Sequence, residues 1–293
     1  MRIEEDVTYG VGAGRPLKLD VITPEENTTR TAVLFLHGGG WRGGSKAAQM
    51  PDAKSLAKHG FVTLPVEYRL TGESPWPAQI EDVKAAIRWA RANATRLGVD
   101  PDRIAIEGSS AGAHLALLAA ATPDDPRFEG QGGSHGVSSR VAAVVAVHPP
   151  VNMHLGKDDG EAEAWGTAAS ALMGDAATAE AARAASPIAY ARPDFPPVLL
   201  LHGAIDTVVK ASDSQRMYEA LKAARAIADL HIFHGHHHGF ASLPSMRRQV
   251  QGEAAYFLER TVADPARYQA EIAELSLFAR RAAEAAAAAA GAG

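Results

Sequence analysis

The five residues Gly108-Ser109-Ser110-Ala111-Gly112 constrain this chain more than any other stretch of it. They follow an apolar run that ends at Ile106 and precede Ala113-His114-Leu115-Ala116-Leu117-Leu118, which reads as helix. A G-x-S-x-G set between a strand and a helix requires a sharp turn with unfavourable backbone angles, so the neighbours of the serine must lack bulk. Such a turn lifts the hydroxyl of Ser110 to the carboxyl edge of a sheet, at the start of a helix.

The rest of the chain supplies that sheet. Short β-rich apolar runs at 32–36, 61–66, 103–106, 141–147, 198–201 and 230–233 alternate with helical patterns. This predicts an α/β fold with a mostly parallel central sheet and helices on both faces. Residues 7–9 and 17–22 flank a glycine-rich turn at 10–14 and read as a hairpin. Over 79–97, Ile80, Val83, Ile87 and Trp89 fall on one side of a helix that Gly98 ends. The stretch from His148 to Phe195 shows only short helical patterns, which predicts a small cap inserted at about 151–192. The main domain is expected to span 1–263. Beyond it, Tyr268, Ile272, Leu275 and Phe278 recur at helical spacing, predicting a C-terminal helix docked by one face and an alanine-rich tail over 264–293.

Two further motifs carry chemistry. His37-Gly38-Gly39-Gly40-Trp41 directly follows the run 32–36. Consecutive glycines let backbone N–H groups approach a ligand oxygen with no side chain between. With the N–H of Ala111, those of Gly39 and Gly40 are candidates for an oxyanion hole. A phosphate-binding loop would need a Lys followed by Ser or Thr, which is missing here. The second motif is spread over two strand ends, with Asp206 just past 198–201 and His234-Gly235-His236-His237-His238 just past 230–233. A serine hydroxyl is a poor nucleophile until an imidazole takes its proton and a carboxylate fixes the tautomer of that imidazole. Adjacent histidines rarely converge on one ion, so no metal is expected in this cluster. His114 and His202 read as packed or hydrogen-bonded histidines, and Tyr68, Arg69 and Asp82 as a loop-to-helix clamp.

On these residues the chain resembles the hormone-sensitive-lipase-like and feruloyl/acetyl-xylan-esterase-like branch of the α/β-hydrolases, from about Val7 to Leu258. Glu67-Tyr68-Arg69-Leu70, Pro75-Trp76-Pro77-Ala78 with Asp82, and Ser186-Pro187-Ile188 stand where such enzymes carry similar runs. The resemblance implies an α/β-hydrolase fold and a triad of Ser110, Asp206 and His238, with Gly39, Gly40 and Ala111 as the oxyanion hole. It selects His238 among its neighbours because the family's base is usually followed by Gly-Phe, here Gly239-Phe240. Ser109 and Ala113 depart from the common pattern, which bears on substrate more than on activity. Trp41 and Trp165 are candidates to line the substrate pocket. The implied reaction is hydrolysis of short-acyl or aromatic-acid esters without a cofactor. An aryl-formamide hydrolase and a non-catalytic hydrolase-fold binding protein are the alternatives.

Composition narrows the remaining classes. The chain has no cysteine, which excludes disulfides and thiolate chemistry. A net charge of −5 gives no electrostatic reason to expect nucleic acid or an anionic membrane as partner. The expected partner is a small-molecule ester, with the protein a monomer or homodimer. The acidic start Met1-Arg2-Ile3-Glu4-Glu5-Asp6 has no secretory apolar core, so a cytoplasmic location is expected, with a mature secreted form as the alternative.

Overall fold

The structure, a computed structural model, describes residues 1–153, 170, 172–174 and 177–290. Its strands are β1 (Arg2–Gly12), β2 (Arg15–Thr23), β3 (Ala32–Leu36), β4 (Val62–Val66), β5 (Ile104–Ser109), β6 (Val144–Val147), β7 (Val198–Gly203) and β8 (Ala228–Phe233). They form one sheet in the order β1-β2-β4-β3-β5-β6-β7-β8. β3 to β8 are parallel, whereas the β1–β2 hairpin joins β4 antiparallel. The hairpin is longer than its apolar residues predict. Its turn is Ala13-Gly14, both at positive φ, a two-residue turn whose twist suits a hairpin.

The helices are α1 (Lys46–Ala57), α2 (Ala78–Ala92), α3 (Ala94–Leu97), α4 (Ala111–Ala121), α5 (Ala179–Ala184), α6 (Ala211–Ala223), α7 (Pro244–Leu258) and α8 (Pro265–Ala290). The central strands are buried along their length because alternate residues feed two different cores. Leu34, Leu36, Ile106, Val144 and Leu200 pack with Ile80, Val83 and Ile87 of α2 and Leu115 and Leu118 of α4. Val33, Phe35, Val145, Leu199 and Leu201 pack with Leu56 of α1 and Val250, Phe257 and Leu258 of α7 on the other face. A continuous apolar run at strand length thus satisfies both layers at once.

Two expectations change. The helix predicted over 79–97 is interrupted at Asn93, whose backbone N–H and side-chain amide both donate to the carbonyl of Trp89. Gly98, at φ +69°, then closes the short α3. The C-terminal helix forms, but the middle of its expected docking face is open to solvent. Of that face, Ile272 and Leu275 are 57 and 69% exposed, whereas Tyr268 at its start meets Tyr256 edge-on at 5.6 Å. Alanine-rich sequence has high intrinsic helix propensity, so α8 can hold its form where Ile272 and Leu275 are left uncovered. Most of the predicted cap lies outside the described residues; of its remainder, α5 and the 3₁₀ turn Pro187–Tyr190 are described. No helix among the described residues is long and apolar enough to cross a membrane.

The strand order also locates a crevice. From β3 the chain passes to β4 on one side, while β5 lies on the other, so connections diverge at the carboxyl ends of β3 and β5. Open parallel sheets bind ligands at such a switch point. Here those two ends carry the glycine loop and Ser110.

Candidate active site

Ser110 sits at φ +53° and ψ −117°, between β5 and α4. This conformation is costly for a residue with a side chain and persists only where the surroundings enforce it. They do so through small clearances. A Cβ on Gly108 would lie 2.3 Å from the carbonyl oxygen of Gly112, and one on Gly112 would lie 2.3 Å from that of Leu36. The two glycines of the motif are therefore steric requirements of the turn. The N–H of Ser110 donates to the carbonyl of Val147, and its own carbonyl accepts from His114, the first ladder bond of α4.

The loop after β3 wraps against this turn. A Cβ on Gly38 would lie 3.3 Å from the Cβ of Ser110, so the backbone itself approaches the serine. Gly39 and Gly40 follow at φ +116° and +59°. Gly39 is sterically closed, since an added Cβ would meet the Gly43 carbonyl at 2.3 Å, whereas Gly40 faces open space. Among the described residues no acceptor takes the N–H of Gly39 or Gly40. The loop is braced from below by Tyr68, whose ring stacks on His37 at 4.2 Å and whose hydroxyl donates to the His37 carbonyl at 2.7 Å. Arg69 clamps the following segment to α2 through a two-pronged contact with buried Asp82.

The remaining groups arrive from β7 and β8. Nδ1 of His238 lies 2.6 Å from Oδ2 of Asp206, and its Nε2 lies 3.1 Å from Oγ of Ser110. An ionised carboxylate can only accept, so Nδ1 carries the proton and Nε2 presents its lone pair to the serine hydroxyl. Close approach of the two loops depends on Gly203, where a Cβ would lie 2.3 Å from the carbonyl of His236. Burial of Asp206 by itself favours its neutral acid. That is outweighed by the His202 ring 3.4 Å away, the hydrogen bond from His238 and those from the N–H groups of Val208 and Val209, which hold the carboxyl well below its ordinary range. His202 is buried, with Nε2–H donating to the carbonyl of Val209 and Nδ1 accepting from the Ser214 hydroxyl.

The other sequence candidates fall elsewhere. His236 donates from Nδ1 to the carbonyl of His234, and His234 and His237 are exposed. His114 donates from Nε2 to the carbonyl of Ala185, and burial pushes its pKa down to about 4, so it is neutral. Trp41 is only 3% exposed and meets His114 edge-on at 5.3 Å, which makes it a core residue beneath the loop and not an open pocket wall. Trp165 lies outside the described residues. Sequence reasoning missed His148. It stands one residue past β6, is buried, and its ring centroid lies 4.0 Å from that of His238. The nitrogens of His148 and His238 and the carboxylate of Asp206 fall within 4.8 Å of one another. The close pair within that group is the imidazole–carboxylate hydrogen bond already described.

This arrangement can move a proton from a hydroxyl to an imidazole beside a loop of unused backbone donors. Comparison with known proteins agrees in kind. The family model BD-FAE matches residues 19–221. The probable carboxylic ester hydrolase LipM of Mycobacterium tuberculosis is 35% identical over 223 residues, 74% of this chain and 51% of that protein. The chain spans about half to two thirds of the length of the curated relatives LipM, LipC and LipQ. A truncated carbohydrate esterase from gut microbiota superposes with a TM-score of 0.78 at 29% identity, covering 89% of this chain and 96% of that one. The butyrate-bound thermophilic esterase Est2 of Thermogutta terrifontis gives 0.76 at 29% identity, covering 89% and 95%.

Proposed function

The chain belongs to the BD-FAE family, and from that premise, with its α/β-hydrolase fold, we propose that it hydrolyses carboxylic esters through an acyl-serine intermediate. The observation that carries this reading is the unbroken line from Ser110 through His238 to Asp206, at 3.1 and 2.6 Å. Ser110 Oγ attacks the ester carbonyl while His238 Nε2 takes its proton, and Asp206 stabilises the resulting imidazolium. The carbonyl oxygen becomes an oxyanion facing the N–H groups of Gly39, Gly40 and Ala111. His238 then gives its proton to the departing alkoxide, leaving Ser110 acylated. Water repeats the two steps from the same face and releases the acid, restoring the hydroxyl of Ser110. Every proton is handled by His238, so the cycle needs no cofactor.

The substrate class is a short-acyl ester. Each buried methylene contributes about 0.8 kcal/mol only where apolar walls receive it. The alanine-rich sequence of the cap expected at about 151–192 has little continuous run of large apolar residues for such walls. The solved esterase that holds butyrate supports the same size class. A p-nitrophenyl ester series run at equal concentrations below KM tests the proposal. The expected result is a maximum of kcat/KM between acetyl and butyryl and a steep fall by octanoyl. A maximum at octanoyl or longer would overturn the short-acyl assignment, and no turnover of any ester would overturn the hydrolase reading.

A further inference from the structure

Ser110 and His238 are not the only serine–histidine pair at this edge of the sheet. Beside them Ser109 Oγ lies 3.3 Å from Nε2 of His148, and the two imidazoles are tilted by 52° with centroids 4.0 Å apart. The second pair lacks a carboxylate. Nδ1 of His148 is buried and has no partner among the described residues, so nothing there would hold an imidazolium. It is therefore not a spare triad, and its position calls for another explanation.

We propose that His148 is a positioning residue for ester hydrolysis: its ring forms the wall against which His238 is held in line between Ser110 and Asp206. The inference rests on the hydrolase reading above. Three observations support it. The backbone of His148 is at φ +41°, in the left-handed region, although it is neither glycine nor asparagine. Strain of this kind is retained where surrounding contacts over-determine a functional position. Those contacts come from both neighbouring strands. Its N–H donates to the carbonyl of Leu201 at 2.7 Å, and the preceding Val147 carbonyl accepts from the N–H of Ser110 at 2.9 Å. One backbone turn thus ties the strand that leads to Asp206 to the strand that carries Ser110.

The faces of the ring complete the case. His238 covers one side, Phe240 lies 6.0 Å away and His202 6.3 Å away, edge-on. Among the described residues the titratable groups facing it are His202 and Asp206 from the end of β7 and His238 from the loop after β8, and β5 contributes the hydroxyl of Ser109. Burial first, then repulsion from His238 and His202, keeps His148 neutral, so it adds no positive charge when His238 becomes an imidazolium. A neutral ring here excludes water from the base without competing for the serine proton.

The test compares His148→Asn with His148→Phe. Asparagine accepts the left-handed backbone and so spares the fold, but it removes the ring. Phenylalanine keeps a ring and removes both nitrogens. His148→Asn is expected to lower kcat by about tenfold to a hundredfold, the scale of a misplaced catalytic group, with KM changed less than about twofold. Water admitted beside His238 favours its charged form, so the rising limb of the pH–rate profile should move to higher pH. His148→Phe should restore most of kcat and return the limb toward its wild-type position. A purely structural role would lower the melting temperature and the active fraction without moving the limb. Unchanged kcat and pH midpoint in His148→Asn, or a folded His148→Phe no better than His148→Asn, overturns the proposal while leaving the hydrolase reading intact. Wild-type protein that turns over no ester overturns both.

Discussion

Asp206 accepts a 2.6 Å hydrogen bond from His238 across two strand ends, and it does so while two backbone N–H groups, of Val208 and Val209, hold its other oxygen. The carboxylate is thus oriented before any substrate arrives. Asp206→Asn keeps the shape but turns an acceptor into an amide, which permits the wrong tautomer of His238. The expected cost in kcat is about 10⁴, with the melting temperature little changed. Steady-state kinetics at neutral pH check this, and a loss under tenfold would remove Asp206 from the proposed triad.

Gly39 and Gly40 are adjacent yet should respond differently to a methyl group. At Gly39 the added carbon collides with the backbone of Gly43, so the loop must move and its N–H groups with it. Gly39→Ala should lower kcat by about 10² to 10³, the range seen when an oxyanion donor is displaced, with a smaller change in KM. At Gly40 nothing lies within 4 Å and the φ of +59° is tolerated at modest cost, so Gly40→Ala should retain most activity. Equal losses in the two variants would contradict this placement of the loop.

Glu107 is a carboxyl sealed inside the α1/α7 face of the sheet. Its only polar contact among the described residues is Gln251 Nε2 at 2.7 Å, and its other oxygen and that of Gln251 are unmatched. Burial, with a smaller push from Asp52, raises its pKa to about 8, so it is protonated at neutral pH. The folded protein then holds a proton that the unfolded chain releases above its ordinary value of 4.5. Stability from this group is full below that value, falls as pH rises towards about 8, and changes no further above it. Glu107→Gln removes the titration but keeps the volume. The melting temperature of the variant should exceed that of wild type by a margin that grows from pH 5 to pH 8. A constant difference across that range would mean that Glu107 does not titrate there.

The parts of this fold legible from sequence are those set by local sterics. The runs 32–36, 103–106 and 198–201 could only be buried strands, and Gly108 and Gly112 could only serve a turn too tight for a side chain. Asp206 and the histidine cluster were placed at strand ends by pattern alone, although the choice of His238 over His236 and His237 came from resemblance. His148 was not legible. Its importance depends on β6 lying between β5 and β7 and on a backbone angle that no residue pattern announces, since His-Pro-Pro reads as the end of a strand. Trp41 misled because a tryptophan after a glycine loop suggests a pocket, whereas the positive φ of +60° turns its ring down into the core. The exposure of Ile272 and Leu275 on α8 was not legible, because apolar spacing predicts a helix but not what covers it.

Covalent capture tests the central claim most directly. A fluorophosphonate is attacked only by an activated hydroxyl, loses fluoride and leaves a stable phosphonyl serine. Intact mass should show one adduct per chain, peptide mapping should place it on Ser110, and ester hydrolysis should fall in step with labelling. Ser110→Ala should neither label nor turn over, its kcat lying about 10⁴ to 10⁶ below wild type, while Ser109→Ala should still label. An adduct on Ser109, or active enzyme that carries no adduct on Ser110, would contradict the account.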